Sequence, residues 1–421
     1  MKFRNRLRTI AMVNQLGPGL VTGAADDDPS GIATYSQAGA QFGFGLLWTM
    51  VLTYPLMAAV QLVSAHIGRV TGHGLAKNMG DVLPRPVVLV LVTLLFSANT
   101  FNIGADIAAM ASAAELVTGW SAHFYTVAFA LVSLLLQLFV PYRRYSKILK
   151  WLTLVLFAYV AVLFSVKIDW SQVVLGIVWP PMPDRGAATL IVAIFGTTIS
   201  PYLFFWQASQ EVEEIADNPG AQALVDAPWQ ARRALRRIDF DTLAGMAISN
   251  IIALAIMIAT AATLHVSGKT DIATAAQAAE ALRPVAGNFA FALFSLGIIG
   301  TGLLAVPVLA GSAAYAVGEA RGWKVGLDHK PWEAAGFYSI IGLATVIGVA
   351  IDWSSLDPIK ALFWSAVING VVAVPIIAAM MIVVSRKSTM GKFKASTRLR
   401  FVGWTATAVM ATAALAMFVL G

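Results

Sequence analysis

Asp26-Asp27-Asp28-Pro29-Ser30-Gly31 interrupts the first hydrophobic stretch of this chain. A charged side chain at the centre of a membrane-spanning helix costs about 2.5–3.5 kcal/mol on insertion scales, so it usually marks a site or a pathway. Pro29 has no backbone N–H and Gly31 loosens the helix, which leaves carbonyl oxygens without helical partners. A fixed negative charge beside free carbonyls is a place for a cation, and Asp28 is the first candidate ligand.

The composition around this stretch is that of a membrane protein. Of the 421 residues, 58% are hydrophobic and 12% are charged, with a mean hydropathy of +0.75, whereas soluble proteins carry about 25% charged residues. Because a bilayer crossing takes about 20 mostly apolar residues, the sequence predicts an all-α integral membrane protein with about eleven spans. These are centred on 16–42, 45–68, 86–118, 122–140, 148–166, 187–213, 240–266, 286–318, 334–352, 358–385 and 400–420.

The basic residues predict how the chain is oriented. Lys and Arg concentrate in cytoplasmic segments, and with a cytoplasmic N-terminus and an outside C-terminus all but five of the 29 fall inside. The five exceptions are Lys167, Arg185, Lys269, Arg283 and Lys360. The net charge of +7 is therefore explained by the orientation of the chain in a membrane. We expect this membrane to be a bacterial inner membrane. Arg232, Arg233, Arg236 and Arg237 are expected on a solvated cytoplasmic loop, and no nucleic-acid partner is expected.

Several classes of function have little support. The chain has no cysteine, which excludes disulfides and thiolate sites, and its five histidines are too scattered to form a metal-ligand pair. No hydrolase, nucleotide-binding or dinucleotide-binding pattern is present. We therefore expect a non-enzyme without a resident cofactor, in which the lipid bilayer is a partner. The oligomeric state is left open, with a monomer among the possibilities.

A second interruption lies in the sixth span, at Ile199-Ser200-Pro201-Tyr202. This interruption lies five spans after the first. Because five is odd, a repeated unit that begins at span six enters the membrane from the side opposite to the unit that begins at span one. This pattern predicts one transmembrane domain over 1–421, built as a five-plus-five inverted repeat whose two discontinuous helices bind substrate between them. Repeat one covers about 14–168, repeat two about 186–385, and an extra helix about 400–420. The alternative is that both prolines merely kink ordinary helices.

These motifs together resemble the NRAMP divalent-metal transporters. The resemblance rests on Gly17-Pro18-Gly19, Thr22-Gly23-Ala24-Ala25, Asp28-Pro29-Ser30-Gly31 and the run from Thr197 to Gln207. It implies a LeuT-type 5+5 inverted repeat with discontinuous helices 1 and 6, where the family has Asp-Pro-Gly-Asn and Met-Pro-His. The metal-binding positions that it implies fall on Asp28, Gly31, the Ala25 carbonyl, Ser200 and the Thr197 carbonyl.

Two departures from the family pattern suggest which ion is carried. Gly31 replaces an amide and Ser200 replaces a thioether; oxygen donors suit Mg²⁺, whereas soft sulfur favours transition metals. The smaller side chains are also expected to empty space beside Asp28 for a hydrated ion, since Mg²⁺ usually keeps several waters. The changes are similar to those of the NRAMP-related magnesium transporter branch. The expected substrate is Mg²⁺, with Mn²⁺ also carried, as a largely hydrated ion moved by alternating access.

A further departure concerns energy coupling. The family resemblance implies proton symport through span-six histidines and an Asp/Glu pair in span three, but here those positions hold Tyr202, Gln207, Asp106 and Ala109. Neither Tyr nor Gln exchanges protons near neutral pH. We therefore expect import that is not proton-coupled and is driven by the membrane potential, which supplies about 2.3 kcal/mol per charge per 100 mV.

Other residues and functions remain open at this stage. Asp26 and Asp27 either attract cations or cap the broken helix, Asp106 either belongs to the pathway or pairs with an arginine, and Asn369 in span ten is a further candidate. Glu211 is expected near the inner end of span six, either lining the exit or, as the favoured alternative, at a solvated helix end. The alternative functions are a proton-coupled Mn²⁺/Fe²⁺ carrier of the NRAMP type and, less favoured, a sodium-coupled carrier of organic solutes.

Overall fold

The architecture was obtained from a computed structural model that describes residues 17–140, 153–179, 185–351, 353 and 357–420. Within these ranges the chain is helical and contains no strand. The eighteen α-helices, numbered in chain order, are α1 Pro18–Asp26, α2 Pro29–Phe42, α3 Trp48–Thr71, α4 Leu75–Gly80, α5 Arg85–Thr118, α6 Ala122–Phe139, α7 Phe157–Ser165, α8 Trp170–Val178, α9 Arg185–Thr198, α10 Pro201–Asp217, α11 Ala231–Thr260, α12 Ala275–Ala279, α13 Arg283–Ala286, α14 Ala290–Arg321, α15 Ala335–Ile351, α16 Pro358–Ser385, α17 Lys387–Met390 and α18 Thr397–Leu420.

The described helices agree with the predicted spans. Eight helical segments in the described ranges are long and apolar enough to cross a membrane, and they correspond to predicted spans two, three, four, six, seven, eight, ten and eleven. Span one is divided between α1 and α2, and span nine is the shorter apolar helix α15. The first part of span five, 148–152, lies outside the described residues. Beyond it, the segment Leu154–Ser165 turns by 117° into α8.

The first break follows directly from local sequence. Pro29 occupies the first turn of α2, where a missing N–H costs nothing. Asp28 precedes it in an extended conformation, and its side chain accepts a hydrogen bond from the backbone N–H of Gly31. An aspartate at this position satisfies an otherwise unpaired helix donor and favours the helix start. Asp28 is therefore the N-cap of α2, which fixes its carboxylate at the break.

At the second break an N-cap residue is again followed by proline, but its side chain makes different hydrogen bonds. Ser200 is the N-cap residue of α10 and Pro201 follows it. The Ser200 hydroxyl makes no cap bond to α10; it donates backwards to the carbonyls of Gly196 at 2.7 Å and Thr197 at 2.9 Å in α9. It thereby satisfies carbonyls that the break leaves without helical partners.

Helix α1 is held against α11 by close backbone contact. A methyl group on Gly23 would lie 2.5 Å from the carbonyl carbon of Gly245, so only glycine permits this approach. The Asp241 carboxylate of α11 also accepts hydrogen bonds from the N–H groups of Gly17 at 3.2 Å and Gly19 at 2.8 Å. Asp241 thus satisfies the N-terminal donors of α1 from a helix more than 200 residues away in sequence.

The arginine cluster was predicted on a solvated loop, and this was wrong. All four arginines lie within α11, which begins at Ala231. Arg237 donates to Glu211 at 2.6 Å and forms a second ion pair with Glu214 at 2.7 Å, both on α10. Glu211 is only 1% exposed, so its expected position at a solvated helix end was also wrong. The reason is that α11 continues as one helix through the arginine cluster and packs Arg237 against the end of α10.

Candidate metal site at the two helix breaks

The two oxygens of the Asp28 carboxylate have different surroundings. Oδ1 accepts short hydrogen bonds from the Ser30 hydroxyl at 2.7 Å and the Gly31 N–H at 2.8 Å. Oδ2 has only longer contacts, to the amide nitrogen of Asn102 at 3.2 Å and the hydroxyl of Tyr202 at 3.4 Å. The first oxygen therefore holds the helix cap, and the second faces the space between the breaks. The whole side chain is 1% exposed.

Tyr202 joins the two parts of the first broken span. Its hydroxyl donates to the Ala25 carbonyl oxygen at 3.0 Å and lies 3.4 Å from Asp28 Oδ2. Ala25 belongs to the last turn of α1, where carbonyls lack helical partners and carry the negative end of the helix dipole. Two predicted ligand oxygens are thus brought together around one hydroxyl from the second broken span.

Thr197 and Ser200 lie at the same place on the second break, and both are 1% exposed. The Thr197 carbonyl is partly used, because it accepts the Ser200 hydroxyl at 2.9 Å. The Thr197 hydroxyl, in contrast, has no hydrogen-bond partner among the described residues. Sequence reasoning assigned the carbonyl of Thr197; the structure leaves its hydroxyl as the free oxygen.

The expectation of empty space beside Asp28 was wrong. A Cβ added to Gly31 would lie 3.0 Å from the Thr197 hydroxyl and 3.2 Å from the Tyr35 ring. These two side chains fill the room that the small residue leaves. A hydrated ion therefore requires α2 and α9 to move apart, which is compatible with the change of state that alternating access demands.

Asp26 and Asp27 do not join Asp28 in one cluster. Both accept a hydrogen bond from the Ser249 hydroxyl of α11, at 2.5 Å and 3.0 Å respectively. Among the described residues, no group of three or more His, Cys, Asp or Glu side chains is placed to hold a metal ion. Neither residue caps α2, since Asp28 does so. The three consecutive acids diverge because the chain leaves its helix between them.

The remaining candidates, Asp106, Gln207 and Asn369, are all buried. Asp106 of α5 is fully buried, and neither carboxylate oxygen has a hydrogen-bond partner among the described residues, so the expected arginine is not found there. Gln207 accepts from the Thr22 hydroxyl at 2.5 Å and so connects α10 to α1. Asn369 of α16 is 1% exposed, with both amide atoms unpaired in the described part of the chain.

Sequence reasoning missed Asn102 and Tyr35. Asn102 lies one helical turn before Asp106 on α5, so the two share a face, and its amide reaches Asp28. An asparagine within an apolar span was a usable signal, because polar side chains at membrane depth usually mark function. Tyr35 gave no such signal, since tyrosine is common in membrane helices.

Comparison with known proteins shows the family of the chain. The family described as natural resistance-associated macrophage protein-like, Nramp, matches residues 19–420. The chain belongs to the Nramp family. This Nramp protein is 30% identical to the divalent metal cation transporter MntH of Yersinia pestis (strain Pestoides F) over 308 residues, or 71% of each chain. It is 28% identical to MntH of Klebsiella pneumoniae over 406 residues, covering 94% of this chain and 91% of the other.

Solved structures confirm the fold of this Nramp protein. A manganese transporter of Eremococcus coleocola superposes with a TM-score of 0.75 at 17% identity, covering 96% of this chain and 86% of that one. The amino-acid-bound transporter MhsT gives 0.62 and the nucleobase-cation-symport-1 family transporter Mhp1 gives 0.58. The predicted LeuT-type fold with discontinuous first and sixth helices is therefore confirmed. The resemblance to the magnesium-transporter branch remains a prediction.

Proposed function

We propose that this protein is a divalent-metal transporter that imports Mg²⁺, and also Mn²⁺, across a bacterial inner membrane by alternating access. The observation that carries the proposal is the position of Asp28 Oδ2. It is a buried carboxylate oxygen at the meeting of two helix breaks, beside the Ala25 carbonyl and the Tyr202 hydroxyl. The MntH relatives support the transport of divalent metals, and the oxygen donors support a hard cation.

In the proposed binding step, the two oxygens of the Asp28 carboxylate have different roles. Asp28 Oδ1 stays bonded to Ser30 and Gly31, so the cap of α2 persists while Oδ2 binds the cation. The carbonyl ends of α1 and α9 point their negative dipoles at the site. Movement of α1 or α10 then opens the site to one side at a time, because each half-helix can rotate about its break.

The proposal includes transport without protons. Tyr202 and Gln207 occupy the span-six positions, and both are uncharged and buried. A divalent cation gains about twice 2.3 kcal/mol per 100 mV of inside-negative potential, so the voltage alone can drive accumulation. Asp106 is the remaining acid of the span-three pair, and it has no basic partner in the described ranges. Because an acid of this kind is able to carry a proton, proton movement has to be measured directly.

Uptake into proteoliposomes tests the proposal. The uptake of Mg²⁺, Mn²⁺ and Ca²⁺ is measured while an internal indicator reports the pH. The parent protein is compared with Asp28→Asn and with the control Asp81→Asn, whose side chain pairs with Lys77 at the surface. We expect voltage-dependent Mg²⁺ and Mn²⁺ uptake without acidification, abolished by Asp28→Asn and kept by Asp81→Asn. Acidification that depends on the metal would contradict the absence of coupling, and uptake unaffected by Asp28→Asn would contradict the site.

The second candidate is proton-coupled Mn²⁺ transport. It is favoured by the buried Asp106, an acid without a basic partner among the described residues, while the MntH relatives support divalent-metal transport in either case. The double variant Gly31→Asn/Ser200→Met separates the two candidates, since it adds an amide and a thioether at the breaks. If the oxygen donors set the preference, this variant shifts it from Mg²⁺ toward Mn²⁺; unchanged selectivity would count against a preference set by hard donors.

A further inference from the structure

We infer that Asn102 is a metal ligand, whose amide turns from donating to Asp28, as it does in this structure, to offering its oxygen to the bound cation. The inference rests on the proposed function and assigns α5 a direct part in the site. It starts from one contact, in which Asn102 Nδ2 lies 3.2 Å from Asp28 Oδ2. That is the carboxylate oxygen left free of the helix cap.

The other half of the same amide is unsatisfied. Asn102 is fully buried, and its Oδ1 has no hydrogen-bond partner among the described residues. A buried carbonyl oxygen without a partner is unfavourable, so in this arrangement the side chain gives up one interaction to keep the other. Asn99, one turn earlier, also has an unpaired Oδ1 among the described residues, but its amide nitrogen donates to α14, to the Leu309 carbonyl at 2.9 Å and the Ser312 hydroxyl at 2.8 Å, and not to Asp28.

A cation reverses which end of the Asn102 amide is favoured. The positive ion at Asp28 Oδ2 repels the N–H donors and attracts the carbonyl oxygen, and a half-turn about the last side-chain bond exchanges the two. Oxygen then stands where nitrogen stood, about 3.2 Å from Oδ2. Neighbouring ligands of octahedral Mg²⁺, each at about 2.0–2.1 Å, lie about 3 Å apart. The observed spacing therefore suits two ligands of one ion.

The assignment also accounts for a missing donor. The family resemblance places an amide ligand at the position of Gly31, where this chain has no side chain. Asn102 delivers an amide to the same carboxylate from a different helix. The space beside Gly31 is taken by Thr197 and Tyr35, so the amide approaches from the α5 side instead.

A pair of variants of equal size tests direct coordination. Asn102→Leu and Asn102→Met both remove the amide, but only Met carries a donor atom, a soft thioether. Apparent affinities for Mg²⁺, Mn²⁺ and Cd²⁺ are measured by uptake and, independently of the transport cycle, by calorimetry in detergent. Asn99→Leu is the matched control on the same helix. A smaller pair, Asn102→Ala and Asn102→Cys, repeats the comparison if the larger side chains prevent folding.

The expected result is a loss of tenfold or more in Mg²⁺ affinity in both members of a pair. The Met or Cys member should then bind Cd²⁺ at least tenfold more tightly than its Leu or Ala partner, while Asn99→Leu keeps the parental order of metals. Equal Cd²⁺ affinity within both pairs would reduce Asn102 to a positioning residue and overturn the inference. The proposed function itself fails on a different result, namely parental protein without Asp28-dependent metal uptake.

Discussion

The hydroxyl of Tyr202 stands between the Ala25 carbonyl and the free oxygen of Asp28, at 3.0 Å and 3.4 Å. One side chain of the second broken span thus occupies the place between two oxygens of the first. A hydroxyl can donate to only one of them at a time, so the shorter bond to Ala25 leaves Asp28 Oδ2 available. The relationship makes Tyr202 part of the site itself, beyond its position in a motif.

Tyr202→Phe should weaken metal binding without abolishing it. The change removes one neutral oxygen donor, which is worth about 1 kcal/mol, so we expect roughly a three- to tenfold rise in the Mg²⁺ concentration for half-maximal uptake. Tyr54→Phe is the control, since that hydroxyl makes only a 3.4 Å contact to Leu243. Concentration-dependent uptake in proteoliposomes is the measurement, and an unchanged curve for Tyr202→Phe would remove the hydroxyl from the site.

Gly31→Ala should impair transport through its contact with Thr197. The new methyl would lie 3.0 Å from the Thr197 hydroxyl, and overpacking of this kind costs about 1–3 kcal/mol. Adding Thr197→Ala removes that hydroxyl. We therefore expect Gly31→Ala to lower uptake less in the Thr197→Ala background than in the parent protein. A double-mutant cycle of uptake and thermal stability measures the coupling. Additive effects of the two changes would mean that the packing seen beside Gly31 does not matter.

Gly23→Ala should destabilise the protein, whereas Gly342→Ala should not. The first methyl meets the backbone of Gly245 at 2.5 Å, so α1 must move away from α11; the second meets nothing within 4 Å on α15. We expect a loss of about 1–3 kcal/mol for the first change and little change for the second. Thermal unfolding in detergent, followed by loss of the monodisperse peak, distinguishes them. Similar unfolding temperatures for the two variants would argue against the close helix crossing.

Arg237→Gln should cost more stability than Lys77→Gln. Arg237 is about a quarter exposed and forms an ion pair with Glu211, which is 1% exposed. In the Lys77–Asp81 pair, each of the two side chains is about half exposed. Leaving a buried carboxylate without its cation costs up to about 3–5 kcal/mol, reduced here by partial solvation, against about 0–1 kcal/mol for a surface pair. Denaturation of the two variants under identical conditions compares them directly. Equal losses would show that solvent screens both pairs alike.

The predictions from sequence succeeded where local chemistry decides the outcome. Proline fits the first turn of a helix better than its interior, so the breaks at Asp28-Pro29 and Ser200-Pro201 could be predicted from the chain itself, although Pro55, Pro307 and Pro375 lie inside continuous helices. Apolar runs of membrane length gave the spans, and the motifs around the breaks gave the family. The cap role of Asp28 was not predicted, because capping of the broken helix was considered for Asp26 and Asp27 and not for Asp28.

The failures concern contacts between distant segments. Asn102 reaches Asp28 across 74 residues, and Ser249 reaches Asp26 across 223; no periodicity in the chain encodes either distance. The space beside Gly31 was misjudged because a small residue leaves room only if its neighbours do not fill it. Arg237 was placed on a loop because the charged first turns of α11 lack the apolar pattern of a span.

By itself, the sequence determined that this protein is helical, lies in a membrane, interrupts two helices at matched positions and places a carboxylate at the first break. Backbone chemistry and hydrophobicity act along the chain, so residue order is sufficient to read them. Only the tertiary structure decided which oxygen of Asp28 is free, where Asp26 and Asp27 point, and that Asn102 and Tyr202 meet at the site. Those facts depend on how helices pack, and packing is a property of surfaces that the chain brings together only when it folds.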